Sequence, residues 1–468
     1  MPQADHNAGS TPNEADSSTP GRIDDLGIPI PDAIAQDTVA PAPVAGNFFG
    51  YLKSFGPGIV VALSWVGTGD LVDNSVAGAN YGYALLWVLP LTLVLRFVFV
   101  SALGKYPIFN VQRDPSLVRG FARTNRVFAY LMLVSFVLYT HILLAFTLSG
   151  VGIALEGLFG GLSAFVWTLI GAASVFVVTF KGVYAVIEKM FKVILAVMAA
   201  TFVLTIALVG IDWGAMLRGF AFDLPPQEGL FDSSLVASSL VLATLGSMAN
   251  LFYPQFLREK GWTTPAHRRV QQYDLLFGII VVLFLGVSIW AVGAEVIFGD
   301  GSGIEKPADI ANALGSVIGP VGPYLFYLGL LGAAWTTVSS SLFALGKMAV
   351  EALQVTRPAR IERYGDDPGK DPFYKVMIFW GLLAVVWSLP GAPGFIVLTV
   401  VSHVLTAPFL LVITIGLLFM LNRRNIMGDH VNKWPLNIAL GVITIFVAVA
   451  AYQGLSAAVG DFSSLIKG

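Results

Sequence analysis

The chain has 468 residues, of which 56% are hydrophobic and 12% charged, with a formal net charge of −2. A soluble domain carries about 25% charged residues, so this is an integral membrane protein, and its near-neutral charge argues against a nucleic-acid partner. There is no cysteine and there are five histidines, which excludes disulfides, thiolate metal sites and cysteine nucleophiles.

Residues 1–46 are rich in Pro, Ala, Ser and Asp. They are too polar to bury and read as a disordered cytoplasmic tail without a signal peptide. Residues 47–468 form the transmembrane domain. Apolar runs able to cross about 30 Å of hydrocarbon fall at 57–82, 84–104, 126–156, 162–180, 183–210, 234–256, 272–298, 321–351, 373–390, 395–421 and 436–459. The expected fold is therefore all-α and polytopic, with about eleven transmembrane helices in a lipid bilayer. With the N-terminus inside, all but four of the 27 Lys and Arg lie on the cytoplasmic side, as the positive-inside rule requires. Three of those four are outside, at Arg218, Lys306 and Lys467. The C-terminus is then external and the membrane a plasma membrane.

The first span reads "ALSWVGTGDLVDNSVAGANYGY" and interrupts itself at Gly67-Thr68-Gly69. The sixth is interrupted near Ala249-Asn250-Leu251, with Pro254 just beyond. A break at membrane depth frees backbone groups that lipid cannot satisfy, so it lines a cavity or is buried in protein. Secondary transporters place two such breaks in matching positions of inverted repeats, around a midplane site. Spans 1–5 and 6–10 would be the repeats. Gly67 and Gly69 alone are equally compatible with close helix packing. The carboxylates tip the balance: Asp70 and Asp73 are the acids that lie well inside a span, where charge is expensive and marks function. Asp70 follows the break and faces the cavity. Asp73 lies one turn later, nearer the external mouth, where it meets the substrate or a hydrated vestibule.

Arg96 lies midway along the second span, too deep to snorkel, and requires a partner or an aqueous cavity. His141 and His403 sit inside spans 3 and 10. Each is either a proton or ion group or a hydrogen-bonded structural histidine.

The segment "GPGIVVALSWVGTGDLVDNSVAGANYGYALLWVLP" resembles the first helix and the start of the second in the NRAMP family of divalent-metal transporters. "GIALEGLFG", "KGVYAVIEKMFKVILAVMA" and "LGLLGAAWTTVSSSLFALGKMAVEAL" extend the likeness from residue 50 to about 420. The resemblance implies a LeuT-like broken-helix fold and an ion as transported substrate, with no cofactor, no enzyme activity and no obligatory protein partner. Where the family has Asp-Pro-Gly-Asn, this chain has Gly67-Thr68-Gly69-Asp70. The family's metal-binding methionine falls on Asn250 and its proton-linked histidine on Phe252. Its acidic proton-path residues fall on Leu144 and Thr147. Such substitutions resemble the NRAMP-related magnesium transporters, a bacterial branch.

Loss of the thioether removes a soft ligand and leaves oxygens. Mg²⁺ takes about six oxygens and keeps several waters. The expected site combines Asp70, Asn250 and Thr68 with carbonyls freed near Gly67 and Ala249, Asp73 standing close by, in a pocket wide enough for a largely hydrated ion. Loss of titratable groups implies Mg²⁺ uptake, and Mn²⁺ uptake with it, driven by potential without protons. The rival readings are a proton-coupled Mn²⁺/Fe²⁺ transporter and an amino-acid permease of the same fold.

Overall fold

The computed structural model describes residues 22–23, 28–30, 41–44, 46–47, 49–51, 65, 67–181, 184–226, 231–246, 249–298, 303–365 and 367–467. Most of the expected tail lies outside these residues. Within it, Arg22–Ile23 pairs antiparallel with Pro29–Ile30, and Ile28 is buried beside Ala122, Ala129 and Val355.

The membrane domain is built from α1 (Thr68–Tyr81), α2 (Val88–Phe109), α3 (Arg126–Phe159), α4 (Ala164–Lys181) and α5 (Tyr184–Val209). After these come α6 (Ser233–Gly246), α7 (Ala249–Glu259), α8 (Arg268–Val292), α9 (Val321–Thr356) and α10 (Pro372–Leu382). The chain closes with α11 (Phe395–Leu405), α12 (Ala407–Leu421) and α13 (Trp434–Lys467). Each of the eleven expected spans is occupied by helix, α6 with α7 and α11 with α12 each making one span. Among the described residues seven stretches are long and apolar enough to cross a membrane, and Ala164–Val177, Ala196–Val209 and Pro372–Ser388 are shorter apolar helices. The first half of span 1 lies outside the described residues.

Local chemistry sets the helix ends. The Asn125 side chain accepts from Val127 N at 2.9 Å and starts α3; Gly160, at φ 60°, ends it. Asp371 accepts from Phe373 N at 2.8 Å ahead of Pro372, a polar cap followed by a proline in the first turn. Large apolar side chains such as Leu138, Leu208, Phe284, Phe379, Phe419 and Ile445 point outward, forming the surface that a bilayer would cover.

The packing repeats when each span is exchanged for the one five places along. Span 1 packs on span 7 as span 6 packs on span 2, and span 3 on span 10 as span 8 on span 5. The pairs 1–6, 2–7 and 3–8 map onto themselves. Five spans reverse the direction of crossing, so the two halves are inverted repeats. The α1–α8 contact depends on missing side chains: a Cβ on Gly78 would lie 2.2 Å from Trp290 O, and one on Gly293 2.7 Å from Ser75 O.

At the α2–α3 connection, Asp114 is fully buried. Its Oδ2 accepts from Arg119 Nε and from Arg123 Nη1, both at 2.8 Å, and Arg119 also pairs with Glu351 of α9. Burial pushes the Asp114 carboxyl up, but the Arg119 and Arg123 charges outweigh it and hold the group down at about 2.

Candidate ion site at the two helix breaks

The first break is real. Gly67 has extended backbone (φ −96°, ψ −170°) and α1 begins at Thr68 with no side-chain cap. The free amides of its first turn leave a positive end, and Asp70 sits in that turn. At the second expected break, α6 is described as far as Gly246 and α7 from Ala249 onward, and Ser247 and Met248 between them lie outside the described residues. Ala249, Asn250 and Leu251 are therefore helical. Pro254 sits inside α7 rather than ending it; what it does is withhold a donor from the Asn250 carbonyl one turn back.

A cavity of about 60 Å³ opens beside the first break, lined by Trp65, Gly67, Thr68, Gly69 and Asp70, by Tyr139, Leu143, Phe146 and Thr147 of α3, by Leu242, Ala243 and Gly246 of α6, and by Thr337, His403 and Thr406. At roughly 10–15 Å³ for each water-sized body, it holds about four. It is tighter than the pocket expected from sequence, because Trp65, Phe146 and His403 close on it. Thr68 is buried and its Oγ1 has no hydrogen-bond partner. Tyr139 donates to Gly246 O at 3.4 Å, which partly satisfies the open end of α6.

Three expected site residues thus meet at the cavity: Gly67, Thr68 and Asp70. Asn250 does not. Its Nδ2 donates to Leu245 O at 2.8 Å, in the last described turn of α6, and its Oδ1 accepts from Arg96 Nε at 3.3 Å. The amide is engaged on both atoms, so it is not free to face an ion in this conformation. Ala249 is the first described residue of α7.

Asp73 is not in a hydrated vestibule. It is 1% exposed, its Oδ2 is 2.8 Å from His403 Nδ1, and its Oδ1 accepts from Ser239 Oγ at 3.2 Å. His403 is therefore part of the site, held between Asp73 and the cavity with the Phe146 ring edge-on at 5.2 Å. Gly69 makes room for it: a Cβ there would lie 2.5 Å from the imidazole Cε1. His141 plays the structural part. Its Nδ1 bonds Trp380 O at 3.1 Å, its Nε2 accepts from Trp387 Nε1 at 3.2 Å, and its ring stacks on Trp380. The sequence signal for His403 was its depth in span 10, which it shares with His141 in span 3. Only the fold distinguishes them.

The geometry offers one carboxylate and several hydroxyls, with no sulfur among the described lining residues. Such donors are chemically suited to a hard cation, with one imidazole at the edge of the cavity.

Comparison with known proteins agrees with the fold. The chain resembles the crystal structure of an Eremococcus coleocola manganese transporter, in complex with an aromatic bis-isothiourea compound, with a TM-score of 0.68 and 17% identity over 92% of this chain and 91% of that one. It is 41% identical over 64 residues to the divalent metal cation transporter MntH of Verminephrobacter eiseniae, covering 14% of this chain and 15% of that one. Against the metal transporter Nramp6.2 of Populus trichocarpa it is 39% identical over 51 residues, covering 11% and 9%. These matches span under a fifth of either relative. The family model for natural resistance-associated macrophage protein-like (Nramp) sequences, by contrast, matches residues 58–457, and the chain belongs to that family.

Proposed function

We propose that this chain carries divalent metal ions across a bacterial inner membrane by alternating access, with Mg²⁺ as the physiological ion and Mn²⁺ as a second. The observation that carries this reading is the cavity at the first break. There Asp70, the Thr68 hydroxyl and backbone oxygen offer hard ligands, and no thioether stands among the described lining residues to select a softer metal. The metal is substrate rather than cofactor. A volume near 60 Å³ suits an ion that keeps a few waters while the protein supplies the rest of its shell.

With the N-terminus in the cytoplasm and the C-terminus outside, entry is downhill: a dication gains about 2 × 2.3 kcal/mol per 100 mV of inside-negative potential. Leu144 and Thr147 on α3 and Phe252 on α7 carry no titratable proton, which supports transport without proton coupling.

One observation favours a second reading, a proton-coupled Mn²⁺/Fe²⁺ transporter. The His403–Asp73 pair stands against the cavity wall, and a buried imidazole–carboxylate pair is able to take up and release a proton. The manganese transporters of similar fold and the relatives named as divalent metal cation transporters suit both readings.

Liposomes loaded with a Mg²⁺ dye and a pH dye, under an imposed negative potential, separate the two. Mg²⁺ and Mn²⁺ entry with a silent pH dye is the expected outcome. Acidification in fixed ratio to metal entry would overturn the uncoupled reading.

A further inference from the structure

Arg96 sits midway along α2 and is fully buried. Its guanidinium carbon lies 4.0 Å from the centroid of the Trp65 ring, just before the first break. Its Nε donates at 3.3 Å to Oδ1 of Asn250, the second described residue of α7. Its Nη1 and Nη2 are buried and have no hydrogen-bond partner. Arginine keeps its charge in protein interiors, and a buried ion without a matched counter-ion costs several kcal/mol. Intramembrane charges kept at such a cost mark function. The Trp65 ring on which it stacks lines the same cavity as Asp70, the carboxylate that faces that cavity.

We infer that Arg96 is a fixed positive charge of the ion site. It opposes the dication at Asp70 and so keeps binding weak enough for release. It also ties the segment that precedes α1 to α7, through Trp65 on one side and Asn250 on the other. A carboxylate in a small, protein-walled cavity would otherwise hold a divalent ion too long for rapid turnover, since the attraction grows as the effective dielectric falls. Stacking on Trp65 places Arg96 against the segment that must move if access alternates. The aromatic face also supplies part of the stabilisation that a carboxylate would have given. This inference rests on the metal-transport reading above and adds the residue that sets the site's affinity.

Initial rates of Mg²⁺ entry into liposomes, measured over a range of Mg²⁺ for the wild-type full chain, R96Q and R96K, test it. R96Q removes the charge and retains a donor for Asn250; R96K retains the charge and loses the planar stack. R96Q is expected to lower KM about tenfold and to lower the maximal rate, because release slows. R96K is expected to keep the wild-type KM. A purely structural arginine predicts the reverse: both variants slow transport, with KM unchanged or raised. An unchanged or raised KM in R96Q, or an equal drop in R96K, overturns the inference.

Should R96Q not fold, N250D neutralises Arg96 in place by setting a carboxylate against its Nε, and must lower KM in the same way; an unshifted KM there overturns the inference equally. Wild-type liposomes that admit no metal would remove the transport reading and this inference with it. Active wild type with unshifted variants would remove the inference alone.

Discussion

Two buried charged regions of this molecule are built in opposite ways. At the α2–α3 connection, Asp114, Arg119, Arg123 and Glu351 form a network in which each carboxylate meets an arginine. At the helix breaks, Asp70 faces a cavity, Arg96 leaves two nitrogens unpartnered, and Trp65 Nε1 and Thr68 Oγ1 are likewise unpartnered. Buried polar groups normally find partners. The first region does what a fold needs: it joins the α2–α3 connection to α9 and satisfies its charges. The second keeps its groups open, at a cost in stability, for something that arrives from outside. A carboxylate that opens on a cavity, rather than closing on an arginine, is the physical mark that separates the site from the scaffold.

That contrast breaks most sharply at Asp70. D70N retains size and removes charge. It is expected to reduce Mg²⁺ and Mn²⁺ flux to background in the liposome assay, with the detergent-solubilised protein no less stable than wild type. Flux that survives D70N would place the ion elsewhere.

The scaffold should respond in the opposite sense. D114N leaves Arg119 and Arg123 buried without their counter-charge, which costs about 3–5 kcal/mol. A marked fall in melting temperature is expected, with unchanged KM in the molecules that remain folded. Between these extremes stands H403Q, which touches both kinds of chemistry. It breaks the Asp73 pair and costs about 1–3 kcal/mol, while lowering flux because a freed Asp73 competes for the ion. Under the uncoupled reading the pH dye stays silent in both proteins; a proton signal lost in H403Q would favour the coupled one.

Acid sharpens the scaffold half of the comparison. The Asp114 carboxyl is held at about 2 in the fold against an ordinary 3.8. A depressed carboxyl stabilises above its unfolded value and loses that contribution as pH falls through its folded one. Asp114 therefore contributes about 2 kcal/mol above pH 4, lost between about pH 4 and 2. Thermal melts across that window should show a decline in wild type that is absent from D114N.

Much of this was legible in the sequence. Eleven apolar runs gave eleven helical spans because hydropathy over about 20 residues is a local property. Gly67-Thr68-Gly69 before Asp70 marked the first break for the same reason. Pro254 suggested an interruption near Ala249-Asn250-Leu251, but these residues and Pro254 lie within α7. What linear sequence does not carry is pairing over distance. Arg96 meets Asn250 across 154 positions and His403 meets Ser239 across 164. Asn250 aligned with a ligand position, yet its amide turned to the break and to Arg96, a competition that alignment cannot weigh.

The smallest effect is expected at the other intramembrane histidine. His141 matches His403 in residue type and in depth within its span, but its ring is fixed between Trp380 and Trp387 on both nitrogens. Trp380 is itself anchored, donating to Val137 O at 2.7 Å. The ring is thus fixed in place, donating through Nδ1 to a carbonyl and accepting through Nε2 from the indole N–H of Trp387. H141Q should therefore lower stability by about 1 kcal/mol while leaving the rate, KM and pH profile of metal entry at their wild-type values. A pH profile that moved with H141Q would erase the distinction between the two histidines. It would place a titrating group on α3, where the loss of acidic residues at Leu144 and Thr147 otherwise argues that protons have no route.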